Sequence, residues 1–592
     1  MRRAALLLLG LLLLSACHPA PTAAPTPTPA ATATLPPSPT PTPALQRLTL
    51  CTEGVQSLNP LAPDLPADLV LITQAPLARR VGYQWEPVLL AELPSVEAGT
   101  LVTRLVRLPT GAPYVDPTGV VRTNEGPPRT LPQMEAEFHL REGLRWSDGE
   151  PLTAEDILFA YHLAQEKGVA PRWQALVQRS VSLEAVDAQT LRWVGLPGLL
   201  TAEPVTMLPP PLPAHRYRYQ HWAEIVRDRQ PLASGPFLLE SWQEAGLRFR
   251  PNPYAPEPPR LDEVVVRYLP ADRRQWPALL RDGSCDLLLP AQAMQIEWRS
   301  WAALAQAGEV LIWADVGPHP AFVQLAFNLQ PADGRTTPLA DLGLREALSA
   351  CLDRAELVRN LGGEALLPAT TFVPPNHPAY APPTPALPSA EAAAEHLARL
   401  GWRDEDGDGI REAHGVAGLD EGTPLSLTLH LAPGYTLAAA HVAAALERCG
   451  VGVRPLTTDA RLLYAPDAAS PLFGRTFKMA LFGWQAEIPA VCGTWMSDRI
   501  PTAENGWYGE NVSGYVNADY DAACRAALEA IEPQARDAAL RRAEAILTHD
   551  LPTLFLFWRP TWFVSTPRVI GLRPDFSGGA ALWNLTEIEV EP

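Results

Sequence analysis

The chain has 592 residues, of which 47% are hydrophobic and 19% charged, so most of it is globular rather than disordered. Its formal charge is −18, an acidity that argues against nucleic acid and against an anionic membrane surface as partners. Beyond the N-terminus no segment reaches transmembrane length without charges, and the body of the chain is long enough for two or three domains.

Taken in chain order, the first element is a leader. Arg2 and Arg3 precede an apolar run from Ala4 to Leu14 that is too short to span a bilayer and ends in small residues, as a signal peptide over residues 1–16 does. Its exit, Leu14-Ser15-Ala16-Cys17, resembles a bacterial lipobox, which makes Cys17 the expected lipidation site. One acyl chain binds a membrane marginally, whereas two or three anchor stably. The expected location is therefore the extracytoplasmic face of the cell membrane, with the lipid anchor as the membrane partner. Residues 17–45 then form the lipidated cysteine and a linker dominated by Pro, Thr and Ala, which reads as an extended tether.

The body alternates strand-like and helix-like segments. Met134, Ala136, Phe138 and Leu140 recur at period two, the pattern of a half-buried strand. Asp148-Gly149 marks a turn, and Thr153 followed by Glu155 and Asp156 marks a helix start, with Ile157, Ala160, Tyr161 and Ala164 at helical spacing. A stripe of Leu344, Ala347, Leu348, Cys351 and Leu352 predicts a helix that stops at Gly362-Gly363. Another helix is expected from about Ser389 to Leu400, closed by Gly401. Tyr520, Cys524, Ala527, Leu528 and Ile531 stripe one more, and Pro552 to Trp558 reads as an apolar strand. Such alternation predicts α/β domains with mixed sheets flanked by helices.

Six cysteines remain beside Cys17: Cys51, Cys285, Cys351, Cys449, Cys492 and Cys524. None forms a C-x-x-C pair, so zinc and thioredoxin-like chemistry lack support. In an oxidising compartment they admit fifteen disulfide connectivities, and buried free thiols are the alternative. Cys492 and Cys524 are the preferred pair, because they flank an aromatic-rich segment and Cys524 lies on the inward stripe of its helix.

Five segments carry a resemblance. They are "FHLREGLRWSDGEPLTAEDILFAYHLA" (138–164), "SGPFLLESWQEAGLRFRPNPYA" (234–255), "LAFNLQ" with "LREALSACLDRAELV" (325–358), "FGWQAEIPAVCGTWMSD" (482–498) and "NVSGYVNADYDAAC" (511–524). In this order they resemble the family 5 extracellular solute-binding proteins, the dipeptide, oligopeptide and nickel receptors of ABC importers. The resemblance implies a two-lobed periplasmic-binding-protein fold of the large three-domain type, with lobe I over 46–324 including an inserted subdomain, lobe II over 325–561, and a return to lobe I over 562–592. It also implies a monomer that encloses a small molecule or peptide and presents its closed form to a transmembrane permease. Peptide-binding relatives place an aspartate three residues after a tryptophan to clasp the α-ammonium. Here the run is Trp484-Gln485-Ala486-Glu487-Ile488-Pro489, so Glu487 keeps the charge while the "D-P" of the family pattern is absent. Trp484, Gln485, Glu487 and Trp507 are the expected ligand contacts. Trp495 and Tyr508 share the region, with core packing as their alternative.

Asp404, Asp406 and Asp408 hold positions one, three and five of a calcium loop with Gly409 at the turn. The twelfth position is Gly415 rather than Glu, and Glu412 is the substitute ligand; the alternative is a plain acidic hairpin. No cofactor is expected apart from this structural calcium. Two rival functions share these features. A sensory receptor would present its ligand to a signalling protein. A secreted hydrolase finds no G-x-S-x-G, H-E-x-x-H or P-loop motif, although paired carboxylates are a spatial arrangement that sequence does not reveal.

Overall fold

The computed structural model describes residues 45–591 apart from 64, 117–118, 318–320, 363–364, 384–388, 486–487, 489 and 579. The leader, Cys17, most of the linker and Glu487 lie outside the described residues. Two large sheets organise the body. The first has seven strands in the spatial order Phe237–Gln243, Gly246–Pro251, Glu263–Tyr268, Arg47–Thr52, Leu287–Leu288, Thr561–Ser565 and Leu311–Asp315. The second has six, ordered Leu367–Pro368, Thr553–Arg559, Ala321–Phe327, Met479–Gln485, Ser426–Leu431 and Gly452–Thr457. A four-stranded antiparallel sheet, Leu101–Leu108, Arg129–His139, Thr190–Gly195 and Ser180–Ala185, packs over a core of its own on the first lobe's side.

The Arg47–Thr52 strand is central and parallel to both neighbours, so Leu48, Leu50, Cys51 and Thr52 are all buried. On the subdomain sheet Met134, Ala136 and Phe138 share the inward face, and Leu191 and Trp193 of the next strand join them in the core. The helix Ala154–Leu163 begins at Thr153, whose N–H donates to Asp156 Oδ2 at 2.8 Å. The same carboxylate accepts from Trp146 Nε1 (3.2 Å) and from Ala214 N–H (2.8 Å). Burial raises its pKa, and these donors pull it back down.

One sequence expectation is corrected. The stripe from Leu344 to Leu352 does not run unbroken to Gly362, for it forms two helices, Leu342–Ala350 and Arg354–Leu361. Asp353 between them takes an extended backbone and accepts from the N–H groups of Ala355 and Glu356, capping the second helix at the cost of ending the first. The helix near the end of the chain likewise stops at Glu529, so Ile531 lies beyond it and packs against the subdomain core.

Polar residues in the motifs tie distant segments together. The Arg345 guanidinium donates to the Asp550 carbonyl (2.7 Å) and to those of Leu339 and Ala340. Asn328 Nδ2 donates to the carbonyls of Arg475 and Phe477. Asn511, with no exposed surface, donates from Nδ2 to the carbonyls of Trp495 (3.1 Å), Met496 (3.0 Å) and Tyr515 (2.8 Å) and accepts from Tyr515 N–H. Asn511→Ala strands these carbonyls away from water, at a cost of about 1–3 kcal/mol for a buried group left unsatisfied. The expected outcome is a lower urea midpoint with an unchanged m-value, and an unchanged midpoint would contradict this role.

Candidate functional site

The chain passes between the two sheets twice. It leaves the first at Asp315 and enters the second at Ala321, and it returns between Arg559 and Thr561. The four ends are matched in register: Asp315 pairs with Thr561 in the first sheet and Ala321 pairs with Arg559 in the second. The strand ends that flank the two crossings are therefore neighbours in both sheets.

The direction of the parallel strands decides what else lies at this edge. In the second sheet Ala321 also pairs with Gln485, and the Met479–Gln485 strand is parallel to Ser426–Leu431 and, through it, to Gly452–Thr457. The C-terminal ends of these three strands all point to the crossings. In the first sheet Cys51 is level with Leu288, which pairs with Val564, so Arg47–Thr52 also ends on the crossing side. Beyond it come exposed Glu53 and partly buried Val55. Open α/β sheets bind ligands beyond the C-terminal ends of their parallel strands, and here two such ends share one edge.

The structure brings only some of the sequence-predicted residues to this edge. Trp484 and Gln485 finish the Met479–Gln485 strand at the crossings, opposite Phe322 and Ala321. Trp484 is half-buried and meets the Phe482 ring edge-on at 5.9 Å between centroids. Glu487 lies outside the described residues. Trp507, with φ of 63°, sits in a separate turn where its N–H donates to the Thr502 carbonyl at 2.7 Å. Trp495 belongs to the core, packed among Phe322, Phe372 and Phe555. Tyr508 is 70% exposed.

Two residues at the same edge escaped sequence reading. Tyr435 comes after the Ser426–Leu431 strand, and its hydroxyl lies so close to Gly483 that a Cβ there would have to displace the end of the Tyr435 ring. Tyr464 donates to the Gly483 carbonyl at 3.5 Å, and burial together with Tyr435 pushes its pKa up to about 12, so the Tyr464 hydroxyl stays a neutral donor. The signal available in sequence was position after a strand end, which becomes informative only once the strand order is known.

Away from this edge, Asp404, Asp406, Asp408 and Glu412 bring one carboxylate oxygen each within 4.8 Å of one another. Calcium–oxygen distances are about 2.3–2.6 Å, so ligands on opposite sides of one ion stand about 4.6–5.2 Å apart and this spacing fits. Asp404 accepts from the N–H groups of Gly407 and Gly409, and Asp406 and Asp408 accept from residues two further on, which a plain hairpin also requires.

The six cysteines beyond residue 45 are joined as Cys51–Cys285, Cys351–Cys449 and Cys492–Cys524. Cys524 is fully buried on the Ala518–Glu529 helix, and the third bridge closes the segment that contains Trp495 and Trp507. Among the described residues no helix is long and apolar enough to cross a membrane.

A two-lobed α/β body with paired crossings between its sheets is the architecture of an extracytoplasmic solute-binding protein. The sequence agrees: residues 132–496 match the model of the bacterial extracellular solute-binding proteins, family 5, and the chain belongs to that family. It is 26% identical over 462 residues to Protein XP55 of Streptomyces lividans, covering 74% of this chain and 76% of that one. To the probable deoxycholate-binding periplasmic protein YgiS of Escherichia coli it is 25% identical over 485 residues, 76% of this chain and 80% of the relative. Among solved structures, the unliganded open form of the murein tripeptide-binding protein MppA superposes with a TM-score of 0.68 at 17% identity, covering 92% and 97% of the two chains.

The Cys492–Cys524 bridge spans 32 positions, for which chain entropy gives a stabilisation of about 3–4 kcal/mol. The double variant Cys492→Ser/Cys524→Ser is expected to melt at lower temperature than wild type under oxidising conditions, and to show no further change on adding reductant that is attributable to this segment. Equal melting temperatures for the two oxidised proteins would contradict the contribution.

Proposed function

We propose that the protein is the receptor of an ABC importer: a lipid-anchored monomer that encloses a peptide between its lobes, hands the closed form to a permease and catalyses no reaction itself. The observation that carries this reading is the meeting of the strand ends of both sheets at the paired crossings. A ligand bound there touches both lobes, so it favours closure by the contacts it gains only in the closed state. We assign residues 46–315 and 561–592 to one moving body and 321–559 to the other, which shifts the bounds expected at 325 and 562 to the ends of the paired strands. Trp484 and Gln485 are assigned to the ligand surface of the second, with Tyr435 and Tyr464 beside them, while Trp507 in its separate turn is left out of it.

The peptide class rests on Glu487, which comes after Trp484 where peptide-binding relatives carry their acid. An ammonium enclosed against a carboxylate makes a charge-assisted hydrogen bond. Native mass spectrometry of the purified protein is expected to show a carried peptide, and calorimetry with a pool of two- to five-residue peptides is expected to give binding. Glu487→Gln then loses about 2–5 kcal/mol, roughly thirtyfold to several-thousandfold in affinity. Binding within threefold of wild type would remove the clasp. Binding of deoxycholate in place of the peptides would move the ligand class to that of the Escherichia coli relative.

For the four carboxylates at 404–412 we propose a structural calcium. Clustered acids repel one another until a cation neutralises them, so millimolar calcium is expected to raise the melting temperature relative to excess chelator. Coincident melting curves would leave a plain hairpin.

A further inference from the structure

Away from the crossings, one carboxylate meets an arginine of each lobe. Glu203 Oε1 accepts from Arg536 Nη1 of the second lobe at 3.1 Å, and Glu203 Oε2 lies 3.5 Å from Arg80 Nη1 of the first. Their side chains are only 19%, 12% and 11% exposed in the order Glu203, Arg536, Arg80. Arg80 is fixed on its own lobe: Nε donates to the Ser577 carbonyl at 2.7 Å, and the guanidinium lies over the rings of Tyr83 and Trp85. Arg536 stands in the first turn of the Pro533–Asp550 helix, with Asp537 Oδ1 3.9 Å from its Nε.

Beside this ion pair the Tyr83 ring meets His377 of the second lobe edge-on, 4.4 Å between centroids. The Tyr83 hydroxyl donates to Asn376 Oδ1 at 3.3 Å, and Asn376 Nδ2 donates to the Val316 carbonyl in the crossing segment. Burial together with Arg536, Arg80 and Arg541 pushes the His377 pKa down to about 3, so the imidazole adds no charge here. Apolar packing across the boundary is incomplete. A cavity of about 390 Å³ opens next to Glu203, between Trp85, Val96 and Leu101 on one side and Ile531 and Gln534 on the other.

We propose that Glu203, held between Arg80 of one lobe and Arg536 of the other, is a charged brace that fixes the angle between the lobes of the ligand-free protein. The gap beside it leaves few apolar contacts to do the same. The three side chains keep an edge open to water, so low salt leaves the ion pair largely unscreened, whereas molar salt, with a Debye length of about 3 Å, weakens it. The arrangement also makes the two partners unequal. Removing Arg536 deletes the bridge but leaves Glu203 paired with Arg80. Removing the Glu203 charge leaves two arginines facing each other, and repulsion then adds to the lost bridge.

The test is the interlobe distance distribution in the full ligand-free chain, measured by double electron–electron resonance. Labels are placed through unnatural amino acids at exposed Glu184 and Glu447, which leaves the disulfide cysteines untouched. Wild type in low salt is expected to give a narrow distribution that broadens in molar salt. Arg536→Gln is expected to lose the narrow component in low salt, and Glu203→Gln to lose it and shift to a different mean distance. A wild-type distribution that ignores salt would overturn the brace, and so would folded variants that match wild type. The wild-type salt response needs no substitution at the brace, so the test stands even where a variant fails to fold.

Discussion

Everything in this molecule depends on the chain crossing between its two sheets twice at neighbouring positions. Asp315 beside Thr561 and Ala321 beside Arg559 hold the two links together by sheet hydrogen bonds at each end. The C-terminal ends of Arg47–Thr52 and of Met479–Gln485 are directed to this same edge. On the reading proposed above, a ligand held at this edge touches both bodies and so favours closure.

The covalent cross-links respect that division. Cys51–Cys285 joins the central strand of the first sheet to the segment before Leu287–Leu288, while Cys351–Cys449 and Cys492–Cys524 both lie within the second body. None spans the two sheets, so each bridge stiffens one lobe without locking the angle between lobes. The buried amides and guanidinium of Asn328, Arg345 and Asn511 have the same effect by hydrogen bonding. They pin loops onto the second sheet. Rigid bodies with a soft connection convert the binding of a small solute into a change of shape.

Much of the fold was legible in the sequence, for reasons that differ by element. The strand through Met134 and Phe138 and the helix start at Thr153 are encoded locally, by period and by capping chemistry, and both are found. The helix break at Asp353 was hidden because an apolar stripe continues across it, while the capping carboxylate that ends the first helix is a single residue. Ile531 looked like the last knob of a helical stripe, yet it lies past the helix end and packs on the opposite lobe, a tertiary contact without a local signature. The motif residues that carried the family resemblance, Asn328, Arg345 and Asn511 among them, are tie-points of the scaffold. Family resemblance therefore located the fold more firmly than the ligand contacts. Tyr435 and Tyr464 join Trp484 only because parallel strands bring three separate loops to one edge.

The central claim is that one ligand is gripped by both lobes at the crossing edge. Amide hydrogen exchange, compared before and after adding the solute that copurifies with the protein, addresses it directly. New protection is expected at the end of the first strand, Thr52–Gln56, together with protection at Gly483–Gln485 and in the turn containing Tyr435. Protection confined to one of these lobes, or found only at sites remote from the crossings, would contradict it.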